Sequence, residues 1–296
     1  MKNNKVLIIG SGNIGQEYLK IFLELGMNVS ILNRSKKISI QDKRAVVIEG
    51  DIFNLSISDL KDFSYFVVAV QPRKTFEIVT YLLKNTDSNI LVEKPIALSS
   101  QEVCLLDEKI FNERIYVAFN RRNFKSTVLI KEMLAKSKLL SANISVTELS
   151  DRIVGHPDEI DKWGICNTIH MFDLVFYLIG LPVNYEIYRK EIGGIDFIQL
   201  FSFDEDHSLS IVSGGAGNWG AEFITVDKKF IMKPIETLKV QNINSVNFTE
   251  ISLEQDQYKA GFLQQSKQFI EKDRNAFPKF AYYLELSYFI EKFYEY

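Results

Sequence analysis

Gly10, Gly12 and Gly15 fall in the run Gly-Ser-Gly-Asn-Ile-Gly, between the apolar stretch of residues 6–9 and a helical spacing from Ile14 to Leu25. Glycines spaced as G-x-G-x-x-G between a strand and a helix suit a dinucleotide. Gly10 permits the tight turn, Gly12 lets the backbone approach a pyrophosphate, and Gly15 lets the helix pack closely on the sheet. The pyrophosphate would sit at the helix start, at Asn13 and Ile14, where free N–H groups and the helix dipole favour an anion. At the end of the second strand a carboxylate normally takes the ribose hydroxyls of NAD. This chain has Asn33 there, followed by Arg34, Ser35, Lys36 and Lys37. A neutral amide followed by cationic and hydroxyl groups suits the extra phosphate of NADP, which a carboxylate would repel. NADP is the expected cofactor and NAD the alternative; the bland reading is a solvated basic turn.

Two further constellations carry chemistry. Glu93, Lys94 and Pro95 close the fifth strand, and the proline biases Lys94 toward an extended backbone at the edge where open parallel sheets bind ligands. Farther on, Cys166, His170, Asp173 and Tyr177 follow an i, i+4, i+7, i+11 pattern on a helix, residues 167–179, that is otherwise apolar. Such a helix is buried, and its polar stripe is expected to face a cleft or a partner group. A zinc site from Cys166, His170 and Asp173 is conceivable from ligand types alone.

With the glycine loop, the Gln71-Pro72 turn after the fourth strand and Asn120-Arg121-Arg122 after the sixth, Glu93-Lys94-Pro95 makes the chain resemble the Gfo/Idh/MocA oxidoreductases. The resemblance runs over essentially the whole chain. It implies a two-domain NAD(P)-dependent enzyme acting on a sugar, sugar derivative or nucleotide sugar, with no metal required. It implies that Lys94 reaches both nicotinamide ribose and substrate, and that Glu93 helps shape the site. His170 becomes the general acid/base, with Asp173 at the family's three-residue spacing, while Asn120, Arg121 and Asp173 orient the substrate. Trp163, with Arg152 and His156, lies in an irregular segment that could cover the substrate. Many members carry an acid four residues before the histidine, and here Cys166 stands in that place. That departure keeps a non-catalytic nucleotide-bound sensor of the same fold in view as a rival, and the short length allows a bilin reductase-like enzyme as another.

The elements that must hold these groups come next. Residues 6–9, 29–32, 45–48, 65–70, 90–92 and 115–119 are short apolar runs separated by helical spacings such as 75–84 and 100–112. This rhythm predicts a doubly wound parallel sheet with helical crossovers, a Rossmann domain over residues 1–122. After residue 123 the strands at 144–148, 196–203, 209–213, 223–226 and 235–240 predict an open, mostly antiparallel sheet. The resemblance implies that it belongs to a substrate-binding and oligomerisation domain over 123–296; the 258–296 segment reads as mostly helical. The fold class is therefore α/β plus α+β, and the resemblance implies a homodimer or homotetramer.

Composition bounds the partners. In 296 residues, 46% are hydrophobic and 25% charged, enough for a sizeable core and too apolar for disorder. With 35 Lys and Arg against 38 Asp and Glu, the net charge of -3 gives no broad positive field for nucleic acid or anionic membranes. No stretch approaches the roughly 20 apolar residues that cross a bilayer, and no signal-peptide core follows Met1. Only Cys104 and Cys166 are present, in no metal or paired-thiol spacing, so a cytoplasmic protein is expected.

Overall fold

The computed structural model describes residues 4–34, 42–147, 162–193, 195–203, 206–215, 217–254 and 257–295. The chain forms two compact units. The first comprises Met1–Asn120 with Asp256–Glu291, and the second comprises Arg121–Gln255 with Lys292–Tyr296.

In the first unit β1 (Lys5–Ile9), α1 (Asn13–Glu24), β2 (Asn28–Asn33), β3 (Val46–Glu49), α2 (Ile57–Lys61), β4 (Tyr65–Val68), α3 (Pro72–Asn85), β5 (Asn89–Glu93), α4 (Ser100–Val103), α5 (Glu108–Arg114) and β6 (Ile115–Ala118) follow in order. The six strands are parallel in the order β3-β2-β1-β4-β5-β6, the doubly wound arrangement. All four residues of β4 and of β6 are buried, as expected of strands covered on both faces. The predicted helix over 100–112 is interrupted. Ser99 caps α4 and Asp107 caps α5, each accepting a backbone N–H three residues on, so two local caps restart the helix where periodicity alone reads one.

The second unit holds α6 (Lys125–Leu134), β7 (Leu139–Val146), α7 (Ile169–Ile179), β8 (Tyr185–Ile192), β9 (Ile195–Phe203), β10 (Ser208–Ser213), β11 (Gly220–Thr225), β12 (Lys228–Met232), β13 (Lys239–Asn242) and β14 (Thr249–Glu250). Its eight strands run β14-β13-β12-β11-β7-β10-β9-β8, antiparallel except for the β7–β10 pair. The strand expected over 235–240 starts only at Lys239, and β8 and β12 escape the sequence reading. β8 is exposed along most of its length and carries little apolar signal, while β12 is announced only by the turn before it. Two C-terminal helices, α8 (Phe262–Glu271) and α9 (Phe280–Tyr294), complete the chain.

The units differ from a division at residue 122. The chain returns to the first unit because Phe262, Phe269 and Phe277 belong to the core formed by Tyr18, Phe22, Tyr65 and Tyr116. Phe269 lies 5.0 Å from the Tyr116 ring and 5.4 Å from the Tyr65 ring, both edge-on. Such edge-on pairs add about 0.5–1.5 kcal/mol each beyond the area they bury.

Candidate functional site

The carboxyl ends of β1, β2 and β4 converge on the glycine loop. Gly10 has φ +105°, and a Cβ there would fall on the Ala69 carbonyl; a Cβ on Gly15 would fall on the Gly10 carbonyl. Gly12 is different. Nothing lies within 4 Å of the position its Cβ would take, and it opens α1 with no side-chain cap. Two glycines therefore serve internal packing and the third leaves open space before a helix start, which fits the approach of a phosphate. A cavity of about 560 Å³ adjoins this loop, lined among others by Gly10, Asn33, Arg34, Asp51, Gln71 and Lys74. Gln71 stands just before α3 without a side-chain capping bond, and Pro72 occupies the first turn, where the missing N–H costs nothing. These residues fit a dinucleotide.

Within that cavity's wall Asn33 is buried, and its side-chain oxygen accepts from Ser11 Oγ at 2.9 Å. Arg34 Nε meets Asp51 Oδ2 at 3.2 Å. Ser35, Lys36 and Lys37 lie outside the described residues, as do Arg152 and His156.

At the end of β5, Tyr18 donates to Glu93 Oε1 at 2.7 Å, and Gln265 Nε2 donates to the Tyr18 oxygen at 2.8 Å. Tyr18 is fully buried, and burial, reinforced by the neighbouring Glu93 charge, pushes its phenol well above its ordinary value. Glu93 keeps some exposed surface, but its carboxyl group is desolvated. Burial raises its pKa against the opposing pull of Tyr18, Lys94 and Lys259. Lys94 follows directly, partly exposed at the strand end. Asn120 donates through its amide to the Ala260 carbonyl at 3.0 Å, so this side chain ties the end of the sheet to the returning segment.

In the second unit, Arg121, Trp163, Asn167 and Trp219 help line a cavity of about 220 Å³. The Arg121 guanidinium lies 4.5 Å from the Trp219 ring centroid, and Trp219 Nε1 donates to the Thr147 carbonyl at 2.9 Å. An aromatic face beside a guanidinium and amides suits a polyhydroxylated ring.

The polar stripe is rearranged here. Gly164–Thr168 form a π-helical turn ahead of α7, so the four-residue spacing from Cys166 to His170 spans a wider turn than an α-helix provides. Cys166 is 3% exposed, whereas Asn167 and His170 are partly exposed. Asp173 is 0% exposed, and Arg122 grips its carboxylate through Nε at 2.9 and 3.2 Å and through Nη2. The Arg122 guanidinium also stacks 4.7 Å from the Tyr177 ring. Asp173 and Tyr177 thus anchor α7 inside the unit, meeting a partner group, Arg122, rather than a cleft. Among the described residues no group of His, Cys, Asp and Glu could hold a metal ion, and no helix is long and apolar enough to cross a membrane.

Sequence reasoning missed Tyr18, Asp51, Asn167, Trp219 and Gln265. Tyr18 is three residues past Gly15 on α1, a spacing that could have drawn attention; the others become neighbours of the site only through folding.

Residues 4–113 match the family model described as an oxidoreductase family with an NAD-binding Rossmann fold, GFO_IDH_MocA. No curated protein sequence matches the chain significantly. Among solved structures, a dehydrogenase (MviM) from Clostridium difficile is 21% identical, with a TM-score of 0.78 over 99% of each chain. An oxidoreductase from Agrobacterium radiobacter, solved with NAD+, L-tartaric acid and magnesium, is 14% identical with a TM-score of 0.76, covering 98% of this chain and 95% of that one. A levoglucosan dehydrogenase solved with NADH and L-sorbose is 14% identical with a TM-score of 0.71, over 98% and 95%. Residues 4–113, with their glycine loop and strand order, are thus similar to the NAD-binding Rossmann domain of the Gfo/Idh/MocA oxidoreductases, and the solved structures share the fold of the whole chain.

Proposed function

We propose that this chain is an NADP-preferring oxidoreductase acting on a sugar, sugar derivative or nucleotide sugar. The observation that carries the reading is the open space at Gly12 beside a cavity lined by Asn33 and Arg34. The absence of a carboxylate at the end of β2 and the guanidinium next to it support the extra phosphate of NADP. Neighbours crystallised with NADH and L-sorbose, or with NAD+ and L-tartaric acid, support a small polyhydroxylated substrate and keep NAD as the alternative cofactor.

The bound nicotinamide supplies the hydride donor or acceptor. In the oxidising direction His170 takes the substrate hydroxyl proton, an exchange suited to an imidazole near neutral pH. The Lys94 ammonium stabilises negative charge on that oxygen and helps pass the proton on. Tyr18 and Gln265 fix Glu93, which holds the strand end beside Lys94. Arg121, Trp163 and Asn167 orient the substrate, and Asn120 secures the end of the first unit. Asp173 acts through Arg122, holding the helix that carries His170.

Titration with NADPH and NADH, followed by a reductase and dehydrogenase screen over sugars and nucleotide sugars, tests this reading. Nucleotide binding with no turnover on any of them would favour the sensor, which the buried Cys166 in place of an acid supports. A homodimer or homotetramer is part of the proposal, supported by exposed apolar side chains at Val183, Phe203, Ile243 and Val246. Light scattering of the purified chain checks it. A cytoplasmic location is also proposed, in keeping with a cysteine content of two in 296 residues.

A further inference from the structure

We propose that Asp51 is the cofactor-selecting carboxylate of this chain, taking the ribose-facing place that Asn33 leaves without a charge and limiting the preference for NADP that Arg34 creates. The inference rests on the nucleotide-binding reading above.

The placement follows from strand pairing. β3 lies parallel to β2 with Glu49 opposite Asn33, and the Gly50 N–H donates to the Asn33 carbonyl at 3.0 Å. Gly50, at φ +136°, turns the chain immediately afterwards. Asp51 therefore emerges at the same sheet edge as Asn33, although 18 residues separate them in sequence (51 − 33). Both line the cavity beside the glycine loop.

The chemistry separates the two. Asn33 is 5% exposed and its side-chain oxygen already accepts from Ser11, so it braces the glycine loop. Asp51 is anchored at its own backbone, where Oδ1 accepts from the Phe53 N–H at 3.3 Å. Its Oδ2 accepts from Arg34 at 3.2 Å, and the Arg34 side chain is 73% exposed. A carboxylate offers about four lone-pair sites, so two such contacts leave capacity for sugar hydroxyls. With NAD, ribose hydroxyls donate to this carboxylate. With NADP, a phosphate takes the place of one donor and brings its negative charge toward Asp51, while Arg34 must serve two anions. Asp51 thus favours one cofactor and opposes the other.

The test needs no substrate. Asp51→Asn keeps an oxygen to cap Phe53 and removes only the charge; Asp51→Ser also keeps a capping oxygen. Asp51→Glu retains the charge. NADPH and NADH affinities are read by nucleotide fluorescence for each variant, with thermal unfolding as the control for folding. Asp51→Asn is expected to tighten NADPH and weaken NADH, moving the affinity ratio by about tenfold, the scale of one nearby charge at a partly screened site. Asp51→Ser should move the ratio in the same direction, and Asp51→Glu should stay near the parent. An unchanged ratio, or equal loss for both nucleotides in the neutral variants that fold, overturns the role of Asp51. Failure of the parent protein to bind either nucleotide overturns the nucleotide-binding reading itself, a separate outcome from a fixed ratio.

Discussion

At the scale of single residues, charge and burial decide what each substitution does. Arg34 is exposed and shared with Asp51. Arg34→Ala should weaken NADP binding by about 1.5–3 kcal/mol, the worth of a hydrogen bond to a charged group, and leave NAD nearly unchanged. Equal losses for both nucleotides in a titration would remove Arg34 from phosphate recognition. Lys94→Ala and His170→Ala should each keep the fold and NADP binding but lower turnover about 100-fold or more, in the range of acid/base and charge-stabilising groups. Steady-state rates near the parent's would take that residue out of the chemistry. Glu93 gives a pH signature. Its pKa is raised in the folded chain, so it binds its proton more tightly folded than unfolded. Its contribution to stability is complete below the ordinary carboxylate value and is lost as pH rises through the raised one. Glu93→Gln should abolish this loss, and denaturant midpoints of the two proteins across that window check it.

At the scale of elements, the glycine loop and α7 depend on different contacts. Gly15→Ala drives a methyl group into the Gly10 carbonyl and should destabilise the first unit, whereas Gly12→Ala meets open space. The expected outcome is a lowered melting temperature with Gly15→Ala. Gly12→Ala should melt near the parent but lose dinucleotide affinity, because the methyl group occupies the space a pyrophosphate needs. Parent-like NADPH binding by Gly12→Ala would refute the proposed phosphate cradle. In α7 the Arg122–Asp173 pair is buried at both ends. Arg122→Ala removes the guanidinium that grips a buried carboxylate and should cost about 3–5 kcal/mol in chemical denaturation. Cys166→Asp places an acid at a position that is 3% exposed. It should cost several kcal/mol rather than install a working carboxylate beside His170.

At the scale of the whole chain, continuity along the sequence and membership of a core are separate matters. A fragment ending at residue 122 lacks Phe262, Phe269 and Phe277, leaving the faces of Tyr18, Phe22, Tyr65 and Tyr116 uncovered. Expressed alone it should be insoluble or bind hydrophobic dye strongly, since an apolar patch of several large rings exceeds what a soluble monomer exposes. A cooperative, soluble 1–122 fragment would show that α8 is dispensable.

The Rossmann order, the glycine loop and the end of β5 were legible in the chain because short apolar runs, glycine spacing and a proline are local signals. Each records a constraint within a few residues: a buried strand, a turn that excludes Cβ, a strand end. The antiparallel class of the second sheet was legible for the same reason, though β8 was not, since an exposed edge strand needs no apolar alternation. The i, i+4 stripe on α7 failed where a π-helical turn altered the phase, and no local residue type announces that widening. Tertiary structure alone decided that Asp173 pairs with Arg122, 51 positions away, and that Gln265 reaches Tyr18 across 247. It likewise placed Asp51 against Arg34 and returned Asp256–Glu291 to the first unit. Hydrogen bonds, ion pairs and ring contacts of this kind depend on distance in space, which the order of residues along a chain does not specify until the sheets have formed.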